Sequence, residues 1–361
     1  MGWFKMCSRV FLVSILALLV PRTVLVPRTV LGQEDKLSIV AKEASGAKDA
    51  APRRICLVVG AAGEPEFGEE FRKWASRIRS TMPGGSWLFL DGVGDEENKE
   101  AKSGVVAGDA GEQTHRERIF RWIGETPEQP GENWLIFLGH GTHEGKVTQL
   151  NLLGPDLSSA DLAEALRGKA GRWVFVFCNS SSAPFMASIA GPNRVIVTST
   201  KSGAEQNFSR FGDYFSQALT DPTSDLDHDH ELSILEVFLT ASNGVLKYYE
   251  DRGLLATEQA LLEDTGDGRG TPAVFYRGLR AVKGPADKAS LDGNLAKRVT
   301  IDGESMVRLS EDSMAKRDRL EEELERLRSQ KGDMDLDPYY RELERVFIQL
   351  ARIKSEEPVK P

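Results

Sequence analysis

Two short stretches lead an apolar run into a residue capable of chemistry. In NWLIFLGHG, the run Trp134–Leu138 is followed by His140 between two glycines, and in RWVFVFC the run Trp173–Phe177 ends on Cys178. A thiol attacks as thiolate, and a neighbouring imidazole favours that form. Cleavage of an amide also needs a group to carry protons and donors for the oxyanion. Gly141 lacks a Cβ that would keep a carbonyl away from its N–H. The expected assignment is therefore Cys178 as nucleophile, His140 as base, and the N–H groups of Gly141 and Cys178 as oxyanion donors. Two alternatives use the same loop. His143 competes for the base role, and His140, His143 and Cys178 form a zinc ligand set that lacks a clear fourth member.

These groups can meet only if the intervening chain brings them together. They are 38 residues apart, room for a hairpin at Lys146–Leu153, one helix opened by Ser158, and one strand. That is a single crossover unit, so the strands before His140 and Cys178 can be neighbours about 4.8 Å apart. Further runs fit the same scheme. Strands are expected at Arg53–Gly63, Ser86–Gly92 and Asn193–Thr200, and helices at Phe67–Met82, with Phe71, Trp74 and Ile78 on one face, and at Glu112–Ile123. Strands that are apolar on both faces and separated by helices predict an α/β fold with a mostly parallel sheet covered on both sides. In such sheets functional groups collect beyond the carboxyl ends of the strands.

An apolar strand followed by His-Gly, then an apolar strand followed by Cys, resembles the legumain, caspase and gingipain type of cysteine peptidase, and looks most like secreted bacterial relatives of legumain. The resemblance covers roughly Arg53 to Arg280 by order of elements, on short motifs. It implies a caspase-like fold, a Cys–His dyad at Cys178 and His140, no cofactor required for catalysis, and a protein or peptide substrate. Such enzymes often carry an acidic or amide residue two places before the cysteine and a small residue just before it. This chain has Val176 and Phe177 there. Those departures keep a second function open, a catalytically inactive binding or scaffold protein on the same fold. Lys201, Glu205 and Gln206, in the loop after the fifth strand, would border the cleft of the resembled fold.

The segment DLDHDHELSILE resembles a calcium loop, with Asp225, Asp227, Asp229, Ser233 and Glu236 at positions one, three, five, nine and twelve. Calcium is thus the candidate ion, bound by Asp225, Asp227, Asp229 and Glu236. The sixth position should be glycine and is His230. Ser233 and Glu236 equally form a capping box for a helix over Ile234–Tyr249. Asp264 and Asp267 lie in a second acidic, glycine-rich stretch that reads as turns.

The ends of the chain differ from its middle. Residues 1–32 carry Lys5 and Arg9 ahead of VFLVSILALLV and hold no acidic residue. This reads as an export signal, since the run falls short of the roughly 20 apolar residues of a membrane span. A secreted or periplasmic protein is expected, with a membrane partner only if the signal stays uncleaved. VPRTVL occurs twice in tandem before the expected cleavage point. Residues 33–52 read as a linker, 53–283 as the peptidase-like domain, and 284–361 as a C-terminal helical region. In that region Leu320, Leu324 and Leu327 form one apolar stripe, and Tyr340, Leu343, Phe347 and Leu350 another. A turn at Gly332–Asp337, with Asp337 capping and Pro338 in the first helical position, joins them into a helical hairpin that packs on the core or mediates self-association. The net charge of −9 and the absence of a basic block argue against a nucleic-acid partner. Of three cysteines, Cys7 lies in the signal and Cys56 in a strand, so no disulfide framework is expected.

Overall fold

A computed structural model describes residues 53–82, 85–93, 105–106, 113–127, 131–285, 290–301, 311–332 and 334–356. The expected signal and linker, 1–52, lie outside them.

The first strand, β1 (Arg53–Val59), leads through a glycine turn into helix α1 (Pro65–Thr81). Pro65 stands at the start of α1, where its missing N–H costs nothing, and Glu66 complements the positive end of the helix. Phe71, Trp74, Ala75 and Ile78 repeat at helical spacing and form its buried face. Strand β2 (Ser86–Asp91) follows. Helix α2 (His115–Gly124) opens on a Thr114–Glu117 capping box. Next come β3 (Glu132–Leu138), β4 (Gly141–Glu144), β5 (Val147–Leu150), β6 (Leu157–Ser158) and α3 (Ser159–Ala165), the last capped by Ser158 Oγ on Asp161 N. Strand β7 (Arg172–Cys178), α4 (Ala183–Ile189), β8 (Arg194–Thr198) and α5 (Phe211–Ala218) complete the alternating part. Beyond them lie α6 (Ile234–Asp251), β9 (Leu261–Glu263), β10 (Thr271–Pro272), α7 (Asn294–Arg298), α8 (Glu311–Ser329) and α9 (Leu336–Glu356).

Seven strands form the central sheet in the order β10-β9-β8-β7-β3-β1-β2. The five from β8 to β2 are parallel, and β9 and β10 add antiparallel at one edge. Side chains alternate between two cores. Ile55, Leu57, Val59, Val174 and Val176 pack with α1, α5 and α6, while Cys56, Val58, Phe175 and Phe177 pack with α2, α3 and α4. Helices therefore cover both faces, which explains strands without polar alternation. The chain leaves β1 for β2 on one side and continues from β3 on the other, so the strand order reverses direction at the carboxyl ends of β1 and β3. There Gly60 N–H donates to Leu138 O at 2.8 Å.

Several boundaries differ from the sequence reading: β1 stops at Val59, α1 starts at Pro65, and β7 runs on through Cys178. The hairpin expected at Lys146–Leu153 starts earlier, because Gly141 already pairs with Leu150 in β4–β5. Helix α2 starts at His115, where its capping box places it. Helix α9 starts at Leu336, which puts Asp337 inside its first turn rather than at its cap. Leu320, Leu324 and Leu327 of α8 cluster with Val346 and Ile353 of α9.

Candidate functional site

Strands β3 and β7 are neighbours, with Leu138 opposite Cys178. His140 and Cys178 thus leave the same edge of the sheet from adjacent strands, but their side chains meet different surroundings. Along β7, Cys178 falls on the same face as Val174 and Val176, because side chains repeat every second residue. That face is covered. Cys178 is 0% exposed. Gly212 of α5 passes so close that a Cβ there would lie 3.1 Å from the Cys178 Cβ and 2.6 Å from the Trp74 ring. Burial pushes the thiol well above its ordinary value, and the Glu258 carboxylate pushes it further. The thiol expected at the rim instead lies within the core.

His140 is half-buried in an aromatic setting. Its ring meets Phe67 and Phe71 edge-on, with centroids 5.1 and 5.2 Å away. Nε2 lies 3.1 Å from Ala62 O. A carbonyl only accepts, so Nε2 carries the hydrogen. Burial lowers the imidazole's pKa, and the bond to Ala62 partly opposes this. The ring is therefore neutral at pH 7, with Nδ1 as its basic nitrogen.

Gly141 differs from its expected role. Its N–H donates to Ser180 Oγ at 3.3 Å, and Ser180 Oγ donates to Gly141 O at 3.0 Å. A Cβ on Gly141 would lie 2.5 Å from Ser180 O and closer still to Asn179 Nδ2. The missing side chain admits the 179–180 backbone, and the N–H expected to face a substrate is already engaged.

Ser180, which the sequence reading did not weigh, is the side chain that hydrogen-bonds both backbone groups of Gly141. It begins a buried hydroxyl network at the ends of β7 and β8. Ser181 adopts φ of +56°, unusual for a residue with a Cβ, held by Ser181 N–H to Glu205 O at 2.8 Å and Ser181 Oγ to Gly203 O at 2.9 Å. Ser182 Oγ bonds Ser199 Oγ and Thr200 Oγ1 at 3.2 and 3.1 Å, and Ser199 Oγ donates to Asn179 O at 2.6 Å. The available signal was the run of small polar residues, Asn179 to Ser182, between an apolar strand and a helix.

His143 lies in β4, with Nδ1 2.7 Å from Thr148 Oγ1 and its ring against Gly203. Among the described residues, the group of His, Cys, Asp or Glu ligand atoms within 4.8 Å of one another is Asp225, Asp227 and Asp229. The zinc set of His140, His143 and Cys178 is therefore not assembled.

Glu236 stands apart from the three aspartates. Its Oε1 accepts from Leu226 N–H at 2.9 Å, and its Oε2 from Ser233 N–H and Ser233 Oγ at 2.8 and 2.7 Å. Its position as the bidentate closing ligand is thus corrected, because both oxygens already close the loop through protein donors. Asp225 accepts from Asp229 N–H and His230 N–H, each at 3.1 Å. His230 adopts φ of +68°, the left-handed turn that glycine makes in a calcium loop. Asp227 lies 3.4 Å from Lys297 Nζ. In the second acidic stretch, Asp264 caps α7 by accepting from Leu295 N–H and Ala296 N–H at 2.8 Å each, and Asp267 accepts from Arg269 N–H at 2.8 Å. Both act as turn and cap residues.

Lys201 and Glu205 form one wall of a cavity of about 470 Å³ that Phe211, Leu246, Glu258 and Val274 also line. Glu205 Oε2 accepts from Lys201 N–H and Gln259 N–H at 2.8 and 3.2 Å, while Gln206 Nε2 donates to His143 O at 3.4 Å. Leu246 and Val274 are 40% and 57% exposed at this cavity, so its mouth presents apolar surface to solvent. Glu258 is a second group the sequence reading missed. It accepts from Ser209 Oγ at 2.7 Å, Arg210 N–H at 2.9 Å, Phe211 N–H at 3.2 Å and Tyr249 OH at 3.2 Å, closing the start of α5.

No family model matches the chain, and no curated protein matches it.

Proposed function

We propose that this protein is a catalytically inactive binding or scaffold protein on a caspase- and legumain-like domain, and that it holds a segment of a protein partner at the cavity beside Lys201 and Glu205. The observation that carries this reading is the enclosure of Cys178. A nucleophile must touch the carbonyl it attacks, and this sulfur lies behind Trp74 and Gly212 with its pKa raised by burial. Partly exposed apolar side chains around a preformed cavity suit the capture of an apolar side chain on an extended segment.

A cysteine endopeptidase is the second reading, favoured by the register that sets Leu138 against Cys178 and so starts His140 and Cys178 from adjacent strand ends. It requires Trp74 and α5 at Gly212 to move aside and release the thiol. In either case the protein is secreted or periplasmic through residues 1–32, the helical hairpin of the C-terminal region serves interactions, and Asp225, Asp227 and Asp229 hold a stabilising calcium ion.

A thiol-reactive peptide ketone separates the two readings. Under the binding reading Cys178 labels no faster than free cysteine, and a fluorescent unfolded protein such as casein binds intact, with binding lost on Leu246→Arg. Fast labelling that needs both Cys178 and His140, or cleavage of the casein, would overturn it.

A further inference from the structure

We infer, resting on the reading of the cavity as a site for a protein segment, that this segment docks as an added β-strand along Leu255–Glu258, in the place beside that run which β10 leaves vacant. Strand β10 accompanies β9 for two residues, Thr271 and Pro272, and then departs through a 3-10 turn at Ala273–Phe275. The chain that leads into β9, residues 254–260, runs without turn or bend. Among the described residues, no backbone group from Leu255 to Glu258 has a backbone partner. Leu254 and Leu255 are 54% and 91% exposed. An extended, unpaired run that continues a strand is a template for another strand.

The cavity supplies the specificity. It lies between this run, at Ala256 and Glu258, and α6, at Asn243 and Leu246, with Val274 at the point where β10 has turned away. Side chains of a strand alternate between its faces, so every second side chain of an added strand turns towards α6 and the cavity. Leu239, Val245 and Leu246 offer that side chain an apolar wall. Glu205 and Glu258 set carboxylates in the lining and reject an acidic one. The occupant is thus an extended, unfolded segment of another protein with bulky apolar residues at alternate positions. A helix does not suit this run, because its own backbone groups are already paired and cannot meet those of Leu255–Glu258.

Fluorescence anisotropy of the full chain with a fluorescein-labelled peptide that alternates leucine and serine tests it. Two further peptides carry N-methyl groups, one on its leucines and one on its serines. Successive N–H groups of a strand point to opposite edges, so a docked strand uses only one of the two sets. The parent peptide is expected to bind, one methylated peptide to match it, and the other to lose roughly tenfold or more. On the protein side, one of Leu255→Pro and Ala256→Pro should weaken the parent peptide by a similar factor. Both should keep the wild-type Tm, since the N–H each removes has no backbone partner to lose. Equal binding of all three peptides, with Leu246→Arg still abolishing it, overturns the added strand and leaves the cavity as a side-chain site. No binding of casein or of any peptide overturns the cavity reading as well. Self-association of the wild type that the parent peptide reverses assigns the run to a second copy and overturns the separate partner.

Discussion

Ser180 Oγ bridges both backbone polar groups of Gly141, 3.3 Å from its N and 3.0 Å from its O. This ties the turn after β7 to the loop that holds His140, and it fills the place where a substrate carbonyl was expected. Ser180→Ala removes two buried bonds and leaves the Gly141 groups without that partner, which should cost about 1–3 kcal/mol. Gly141→Ala should cost more, because its Cβ would run into backbone at Ser180 O as well as into the Asn179 amide, and the backbone cannot swing away. Urea unfolding of the two variants checks the order. A Gly141→Ala protein as stable as the wild type would refute the close approach.

Cys178 should react slowly with alkylating reagents under native conditions and rapidly in denaturant. In a Cys56→Ala background the native rate should follow the opening equilibrium as urea is added. Cys178→Ser places a hydroxyl where the thiol has apolar neighbours and should destabilise by about 1–3 kcal/mol.

The Glu258 carboxyl has its pKa raised above the usual value, chiefly by burial, despite four donors around it. The folded state therefore holds this proton more tightly than the unfolded chain. The associated stability is fully present below the ordinary carboxyl value of 4.5 and is lost as pH rises through the raised folded value. Glu258→Gln cannot ionise. The stability difference, wild type minus variant, should fall steadily as pH is raised from about 4, measured by urea unfolding at each pH. A difference constant with pH would contradict the shift.

His140 acts with the opposite sign. Its pKa is lowered by burial, so its contribution is present above the ordinary value of 6.5 and lost as pH falls through the folded value. His140→Phe, which keeps an aromatic ring against Phe67 and Phe71, should flatten the loss of stability on the acid side of neutrality. Thermal unfolding between about pH 5 and 7 reads this directly.

Calcium should raise Tm by binding through Asp225, Asp227 and Asp229, with a gain near 2.7 kcal/mol at about one hundred times Kd. Asp229→Asn should remove most of that response. Glu236→Gln should lower Tm without calcium, through loss of the bonds to Leu226 and Ser233, while leaving the calcium increment in place. If Glu236→Gln alone abolished the increment, the carboxylate would be a ligand after all.

The sequence by itself determined where the apolar strands lie, that both sheet faces are buried, and that His140 follows a strand end, while Cys178 proves to be the last residue of its own strand. Those features are local, carried by runs such as Trp134–Leu138 and Trp173–Phe177, and the capping pairs at Ser158 and Ser233 likewise depend on residues three apart. Tertiary structure alone decided which side chain of the 178–182 turn faces the Gly141 loop. The apolar run gave no sign that the strand continues past Phe177, so the sequence could not tell that Cys178 is its last paired residue and shares the covered face of Val174 and Val176. The left-handed turn at Ser181 and the approach of Gly212 were equally hidden, since both depend on contacts with chain more than 20 residues away. The same reason separates Glu236 from the aspartates. Residue spacing placed a carboxylate at the end of the loop, but only the folded backbone set whether its oxygens met N–H groups or were left for a cation.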